Sequence, residues 1–318
     1  HLTAALLDRG ADVTGLDCFT DYYPRFIKEM NLGVNAGRPG FRFIDGSLQH
    51  ADLAALLADK THVFHLAAQA GVRYSLDHPH AYIDANVRGF LHVLEGCRHA
   101  DVKHLVYASS SSVYGANRKL PFSVSDNVDH PVSLYGATKK ANELMAHSYA
   151  HLFGLPVTGL RFFTVYGPWG RPDMSLFQFT RNILEGKPIP VFNYGHHARD
   201  FTYIDDVVEG VVRTCDTIAT PDSDWRAEDP NPATSSAPYR LYNVGNHSPV
   251  ALLDYIAVIE DALGRKAELE MLPAQAGDVP GTYADVDALK QAVGFEPSTP
   301  IEVGVKRFVA WYRDFYGV

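Results

Sequence analysis

Through the first two-thirds of the chain, short apolar runs alternate with longer stretches of helical period. Ala11–Asp17, Phe41–Ile44, Val63–Ala67, His104–Ala108 and Val157–Phe162 are short and rich in β-branched or aromatic residues, which predicts buried strands. Ala51–Ala58, His80–His99, Ser133–Phe153 and Leu176–Gly186 are longer and predict helices. Apolar strands that each lead into a helix predict a parallel sheet covered on both faces. His1–Arg9 also reads as a helix, with Leu2, Leu6 and Leu7 on one face and Gly10 placed to end it. A chain that opens inside a helix, without an initiator methionine, is expected to lack the strand before it.

After about Thr164 the alternation loosens. Pro221–Pro238 is rich in Pro, Ser, Asp and Asn and predicts a surface loop, and Leu252–Leu263 and Ile301–Phe315 predict two more helices. The expected architecture is α/β: a Rossmann-like, doubly wound parallel sheet over residues 1–164 and a smaller C-terminal substrate-binding lobe over 165–318, from which some segments return to the sheet.

Composition narrows the function. Apolar residues make up 46% of the chain, enough for a real core. The net charge is −9 and no Lys/Arg cluster stands out, which argues against nucleic acid as the main partner but leaves an anionic small molecule open. Cys18, Cys97 and Cys215 are too few and too scattered for a disulfide framework or a zinc site. They fit a reducing, cytoplasmic compartment. There is no signal peptide and no run of about 18 apolar residues to span a membrane, and no metal ligand set is expected.

Asp17 ends the first predicted strand. In a dinucleotide-binding fold, an acid at the end of the second strand bonds the adenosine ribose and repels a 2′-phosphate, which favours NAD over NADP. The plainer reading is an acid that caps a loop. His65-Leu66-Ala67-Ala68-Gln69 offers small residues at a strand's carboxyl end, for a cofactor or for tight strand–helix packing. Tyr135 and Lys139 stand four residues apart on one helix face. A phenol titrates near 10 and is a poor base, but a nearby ammonium favours phenolate. Such a pair can take a proton from a substrate hydroxyl as hydride leaves its carbon. The spacing alone is common; the hydroxyl-rich Ala108–Gly115 stretch upstream gives it context, since those serines can hold the substrate oxygen. A serine-rich turn is the bland alternative. Arg171, after the Arg161-Phe162-Phe163-Thr164 strand end, can grip a carboxylate with its fork, Thr164 adding a third contact. The bland alternative for Arg171 is a surface loop arginine.

The segments 67–75, 107–115, 130–147, 159–174 and 199–210 resemble the extended short-chain dehydrogenase/reductase family along essentially the whole chain, and within it the branch that epimerises UDP-glucuronate at C4. The resemblance implies Ser110 as catalytic hydroxyl, Tyr135 as base and acid, and Lys139 as the group that lowers its pKa and holds the nicotinamide ribose. It implies NAD contacts at Asp17, Leu66, Ala67, Ala68, Gln69 and Phe163. It implies UDP-sugar contacts at Arg73, Ser111, Ser112, Thr164, Arg171, Arg199 (phosphates) and Asp278 (ribose), and a homodimer built on the helices at 80–99 and 133–153. Two departures stand out. The family's glycine fingerprint is not in the sequence, and Gly46-Ser47-Leu48 replaces Gly-Asp-Leu at the adenine contact. With Ser47 and Leu48 there, a modest loss of cofactor affinity is expected and no loss of fold.

Relatives that decarboxylate or dehydrate the 4-keto sugar carry an acid in the serine loop, where this chain has Ser111 and Ser112. Plain epimerisation is therefore expected. The competing expectations are the same chemistry on a neutral UDP-hexose, which the Thr164/Arg171 pair disfavours, and a non-catalytic NAD-binding scaffold, which has no need of Ser110, Tyr135 and Lys139 together.

Overall fold

The computed structural model describes residues 1–275 and 277–318. The strands are β1 (Val13–Asp17), β2 (Phe41–Asp45), β3 (His62–His65), β4 (His104–Ser110), β5 (Val157–Phe162), β6 (Thr164–Tyr166), β7 (Ile189–Val191), β8 (Ala198–Tyr203), β9 (Tyr239–Val244), β10 (Pro249–Ala251) and β11 (Leu269–Met271). The α-helices are α1 (Leu2–Asp8), α2 (Arg25–Gly33), α3 (Leu53–Leu57), α4 (Tyr74–Asp77), α5 (Pro79–Tyr82), α6 (Gly89–His99), α7 (Leu134–Phe153), α8 (Ser175–Leu184), α9 (Ile204–Asp216), α10 (Leu252–Leu263), α11 (Asp287–Val293) and α12 (Ile301–Tyr316).

The fold is α/β with Rossmann-like parallel sheets. β3, β4, β5 and β9 lie side by side in that order, all parallel, with Leu105 opposite Val157 and Val157 opposite Tyr239. β1 and β2 form a separate parallel pair. β4 shows why these strands need no polar face. Leu105 and Tyr107 pack with Phe90, Leu94 and Ala146 of α6 and α7. Val106, pointing the other way, packs with Val207 and Val211 of α9 and Leu289 of α11. Each aliphatic side chain buried this way stabilises the fold by roughly 1.5–3 kcal/mol. A third core, including Phe177, Phe201, Tyr255 and Phe308, lies among α8, α10, α12 and β8.

Several element boundaries differ from those expected. The strand begun near Val63 ends at His65, opposite Tyr107, where its pairing with β4 stops; Leu66–Gln69 have left the sheet. The helix over 51–58 shrinks to α3, because Asp52 caps it by accepting from Ala55 N. The helix expected at 80–99 is interrupted by a π-helical turn at Ile83–Arg88. There Asn142 Nδ2 donates to Asn86 O at 2.7 Å, taking that carbonyl out of the α-helical ladder. The chain beyond Thr164 is more regular than its sequence suggested: β8 leads into α9, and β9 returns to the main sheet. α9 buries Val207, Val211, Thr214 and Cys215 on one face and carries Asp205, Asp206, Glu209 and Arg213 besides. The segment read as a surface loop is exposed over much of its length, but Ala233, Ser235 and Ala237 are buried.

Candidate active site

β4 ends on Ser109 and Ser110, and the alternation of a strand sends them to different tasks. Ser109 turns inward, where its hydroxyl donates to Glu143 Oε1 at 2.7 Å. Ser110 lines a cavity of about 590 Å3, and its Oγ accepts from Ser112 N at 3.1 Å, which starts the 3-10 turn Ser111–Tyr114. The first turn of α7 lies directly on that turn: a Cβ on Gly136 would sit 2.6 Å from Ser112 O. Only glycine permits this approach, and it brings Tyr135 to the serines. Ser133 caps the helix by accepting from Gly136 N at 3.1 Å.

Burial pushes the Tyr135 phenol above its usual pKa, while its hydrogen bond with Ser110 and the charge of Arg171 pull it down. Lys139 was expected to do the pulling; instead its ammonium is turned onto Ala108 O at 2.9 Å, and burial brings its own pKa down to about 8. Arg171 lies on the cavity wall with Thr164, Ser111, Ser112 and Phe163. Arg171 Nη2 stands 3.3 Å from Asp173 Oδ2.

Farther along the same cavity, Arg73 and Asp278, expected to contact the ligand separately, meet each other: Arg73 Nη2 donates to Asp278 Oδ2 at 3.1 Å. The Arg73 guanidinium also lies 4.8 Å over the Phe192 ring. Arg199 lines the cavity with its guanidinium held on Ala198 O and Pro280 O at 3.0 and 3.2 Å. Its pKa falls through burial.

The residues expected to hold a cofactor lie along the carboxyl ends of β1–β3. Asp17 is exposed, with Oδ1 accepting from Phe19 N at 2.8 Å. Ser47 is bonded to its neighbour Gln49, and Leu48 leans into the core beside α6. Leu66 and Ala68 are exposed, Ala67 is half-buried, and Gln69 is buried. Gln69 is fixed by a residue the sequence reading missed: its N–H donates to Asn86 Oδ1 at 2.8 Å, and Asn86 Nδ2 donates to Gln69 O at 3.0 Å. Tyr22, Asp173 and Glu143 were also missed. Little in the sequence marked Asn86, because Asp84, Arg88 and His92 are polar neighbours in the same segment.

Parallel strands ending in a serine turn, a Tyr–Lys helix face and a charged cavity define a Rossmann-like enzyme equipped for proton transfer. The chain belongs to the NAD dependent epimerase/dehydratase family, whose profile it matches over residues 1–226. It is 51% identical to Protein CapI of Staphylococcus aureus, over 99% of this chain and 95% of that one. It is 47% identical to a probable UDP-glucuronate 4-epimerase of Rhizobium meliloti (strain 1021), over 99% of this chain and 94% of that one. In structure it resembles the UDP-glucuronic acid 4-epimerase of Bacillus cereus solved with UDP-glucuronic acid and NAD: TM-score 0.86, 30% identity, 99% of this chain and 96% of that one.

Proposed function

We propose that this protein is a UDP-glucuronate 4-epimerase that interconverts UDP-glucuronate and UDP-galacturonate with bound NAD. The observation that carries the reading is one cavity lined by both Ser110 and Tyr135 and by Thr164 and Arg171: a proton-transfer pair beside a carboxylate receptor. The names of the R. meliloti and B. cereus relatives support it.

The cofactor half fits a dinucleotide. Asp17 is an exposed acid at a strand end, and Leu66, 45% exposed, is an apolar side chain left bare. Lys139 is a buried ammonium whose only hydrogen bond among the described residues is to Ala108 O. Asp17 would hold the adenosine ribose, Ser47 and the backbone of Leu48 the adenine end. Leu66, Ala67, Ala68 and Gln69 would line the cofactor, Lys139 would bond the nicotinamide ribose, and Tyr135 and Phe163 would flank the nicotinamide. NAD, when bound, supplies the two-electron acceptor and donor for C4 of the sugar.

Tyr135 takes the O4 proton as C4 is oxidised and returns it after the 4-keto sugar has turned over; Ser110 holds O4 throughout. Thr164 and Arg171 hold the carboxylate. Ser111 and Ser112 flank the sugar, Arg73 and Arg199 meet the phosphates, and Asp278 meets the uridine ribose. The keto sugar is a β-keto acid and prone to lose CO2. The acids among the described lining residues are Asp173 and Asp278, each paired with an arginine. Neither is free to promote a second reaction.

Incubation with UDP-glucuronate and NAD, followed by NMR of the sugar nucleotides, is expected to give UDP-galacturonate. CO2 and a UDP-pentose as main products would overturn the assignment. Arg171→Ala is expected to cut uronate turnover by about 100-fold, the size of a lost charge-assisted fork, and turnover of UDP-glucose far less. Equal losses would remove the carboxylate role.

Among the described residues no helix is long and apolar enough to cross a membrane. We place the enzyme in the cytoplasm, where its three free thiols suit a reducing environment, with no nucleic-acid partner given its net charge of −9. It acts as a homodimer joined through α6 and α7, whose Leu91, Leu144, Leu152 and Phe153 are exposed.

A further inference from the structure

The loop between β1 and α2 carries a residue to which the sequence assigned no task. It starts at Asp17, in the cofactor half, yet Tyr22 reaches the substrate cavity. The Tyr22 ring stands edge-on to Tyr74, centroids 4.9 Å apart. Its hydroxyl lies over Gly71, where a Cβ would come within 2.4 Å of it. That hydroxyl donates to Asp173 Oδ2 at 3.0 Å, the same oxygen that Arg171 Nη2 approaches at 3.3 Å. The Arg171 guanidinium lies 5.7 Å from the Tyr22 ring centre. Tyr22 therefore touches both members of the Arg171–Asp173 pair. The backbone of Asp173 is fixed separately, because Gln178 Nε2 donates to its carbonyl at 3.0 Å.

From this geometry we infer that Tyr22 is a positioning residue for uronate selectivity, acting on Arg171 through Asp173. The inference rests on the reading of Arg171 as the carboxylate receptor. An unrestrained arginine has many rotamers, and ordering it costs entropy when the ligand binds. The Asp173 carboxylate beside Nη2, with Nη2 also donating to Met174 Sδ at 3.3 Å, restricts the guanidinium and leaves Nε and Nη1 for a second carboxylate. Asp173 can do this only if it is itself held, and it should not neutralise the receptor. The Tyr22 hydrogen bond serves both needs: it pins Oδ2 and draws acceptor density from it. The bond also ties the receptor to the loop that begins at Asp17. A neutral sugar makes no use of the guanidinium fork, so loss of Tyr22 should leave it untouched.

The test compares wild-type holoenzyme with Tyr22→Phe, which keeps the ring and its packing. The KM for UDP-glucuronate is expected to rise about tenfold, the effect of one hydrogen bond to a charged group, with kcat within a factor of two. Binding of UDP-glucose, measured by titration calorimetry, is expected to be unchanged. Asp173→Asn should raise the uronate KM too, and the double variant should lose no more than Asp173→Asn alone, because Tyr22 acts through that carboxylate. Additive losses, equal losses for both sugars, or an unchanged uronate KM would overturn the inference while leaving the functional reading intact. Should Tyr22→Phe fail to fold, a uronate-selective loss in Asp173→Asn supports the inference and a loss shared by both sugars overturns it. A wild type that does not turn over UDP-glucuronate would overturn both.

Discussion

Lys139 keeps an ammonium in a place where charge is costly. Burial brings its pKa from 10.5 to about 8. A ribose hydroxyl that accepts from Nζ favours the charged form, so NAD should move the midpoint upward. The expected result, read by NMR of labelled lysine, is titration near 8 in NAD-stripped protein and a clear rise with NAD; an ordinary midpoint, or none moved by NAD, would contradict the ribose role. The sign for stability follows. A base whose folded pKa is lowered bears its full burial cost below about pH 8, and the cost is relieved as pH rises from there towards 10.5. That Ser110, Tyr135, Thr164 and Arg171 stand on one cavity was open to expectation because each lies within a short, locally patterned segment. Tyr22 was not, because its partner Asp173 is 151 positions away and the contact exists only once both loops are folded.

On α7, Tyr135, Lys139 and Glu143 recur every four residues along one face. The third member anchors the other two. Arg161 on β5 donates to Glu143 through Nε and Nη2 at 2.8 and 2.9 Å, and Ser109 on β4 donates at 2.7 Å. Burial alone would raise the Glu143 carboxyl; the Arg161 guanidinium overrides it and holds it below its usual range. The network fixes α7 against the very strand whose next residue is Ser110. Glu143→Ala leaves a buried guanidinium unpaired and is expected to cost roughly 3–5 kcal/mol in denaturant unfolding. A loss below about 1 kcal/mol, as for exposed pairs, would show that the pair does not hold the helix. The long helix and the buried strands were readable from apolar period. The π turn was not: it carries a hydrogen bond from the Asn142 side chain of a different helix, and hydrophobic spacing does not record that. The β8–α9 unit in the C-terminal half was open to the same reading, since Val207, Val211 and Cys215 recur at helical spacing.

At the scale of the molecule, the residues proposed to hold NAD lie along strand ends and those proposed to hold the sugar line one cavity beside them, with Tyr135 and Phe163 common to both sets. The bare apolar faces of α6 and α7 lie outside this arrangement. Sedimentation is expected to give twice the chain mass of 35.1 kDa, and Leu144→Arg, at a position 59% exposed, to give the chain mass alone with the fold intact. A wild-type protein that sediments as a single chain at micromolar concentration would contradict the dimer. The parallel sheet was foreseeable from strand–helix alternation. That some C-terminal segment returns to the sheet was expected; that it is Tyr239–Val244, which follows a polar loop and pairs with residues 82 positions earlier, was not legible.

The reaction itself is tested most directly with UDP-glucuronate carrying deuterium at C4. An enzyme that removes this hydrogen as hydride, shields it from water and returns it to the other face yields UDP-galacturonate with the deuterium retained at C4. UDP-galacturonate that has exchanged the label with solvent, or a UDP-pentose released with CO2, would contradict C4 epimerisation at Tyr135.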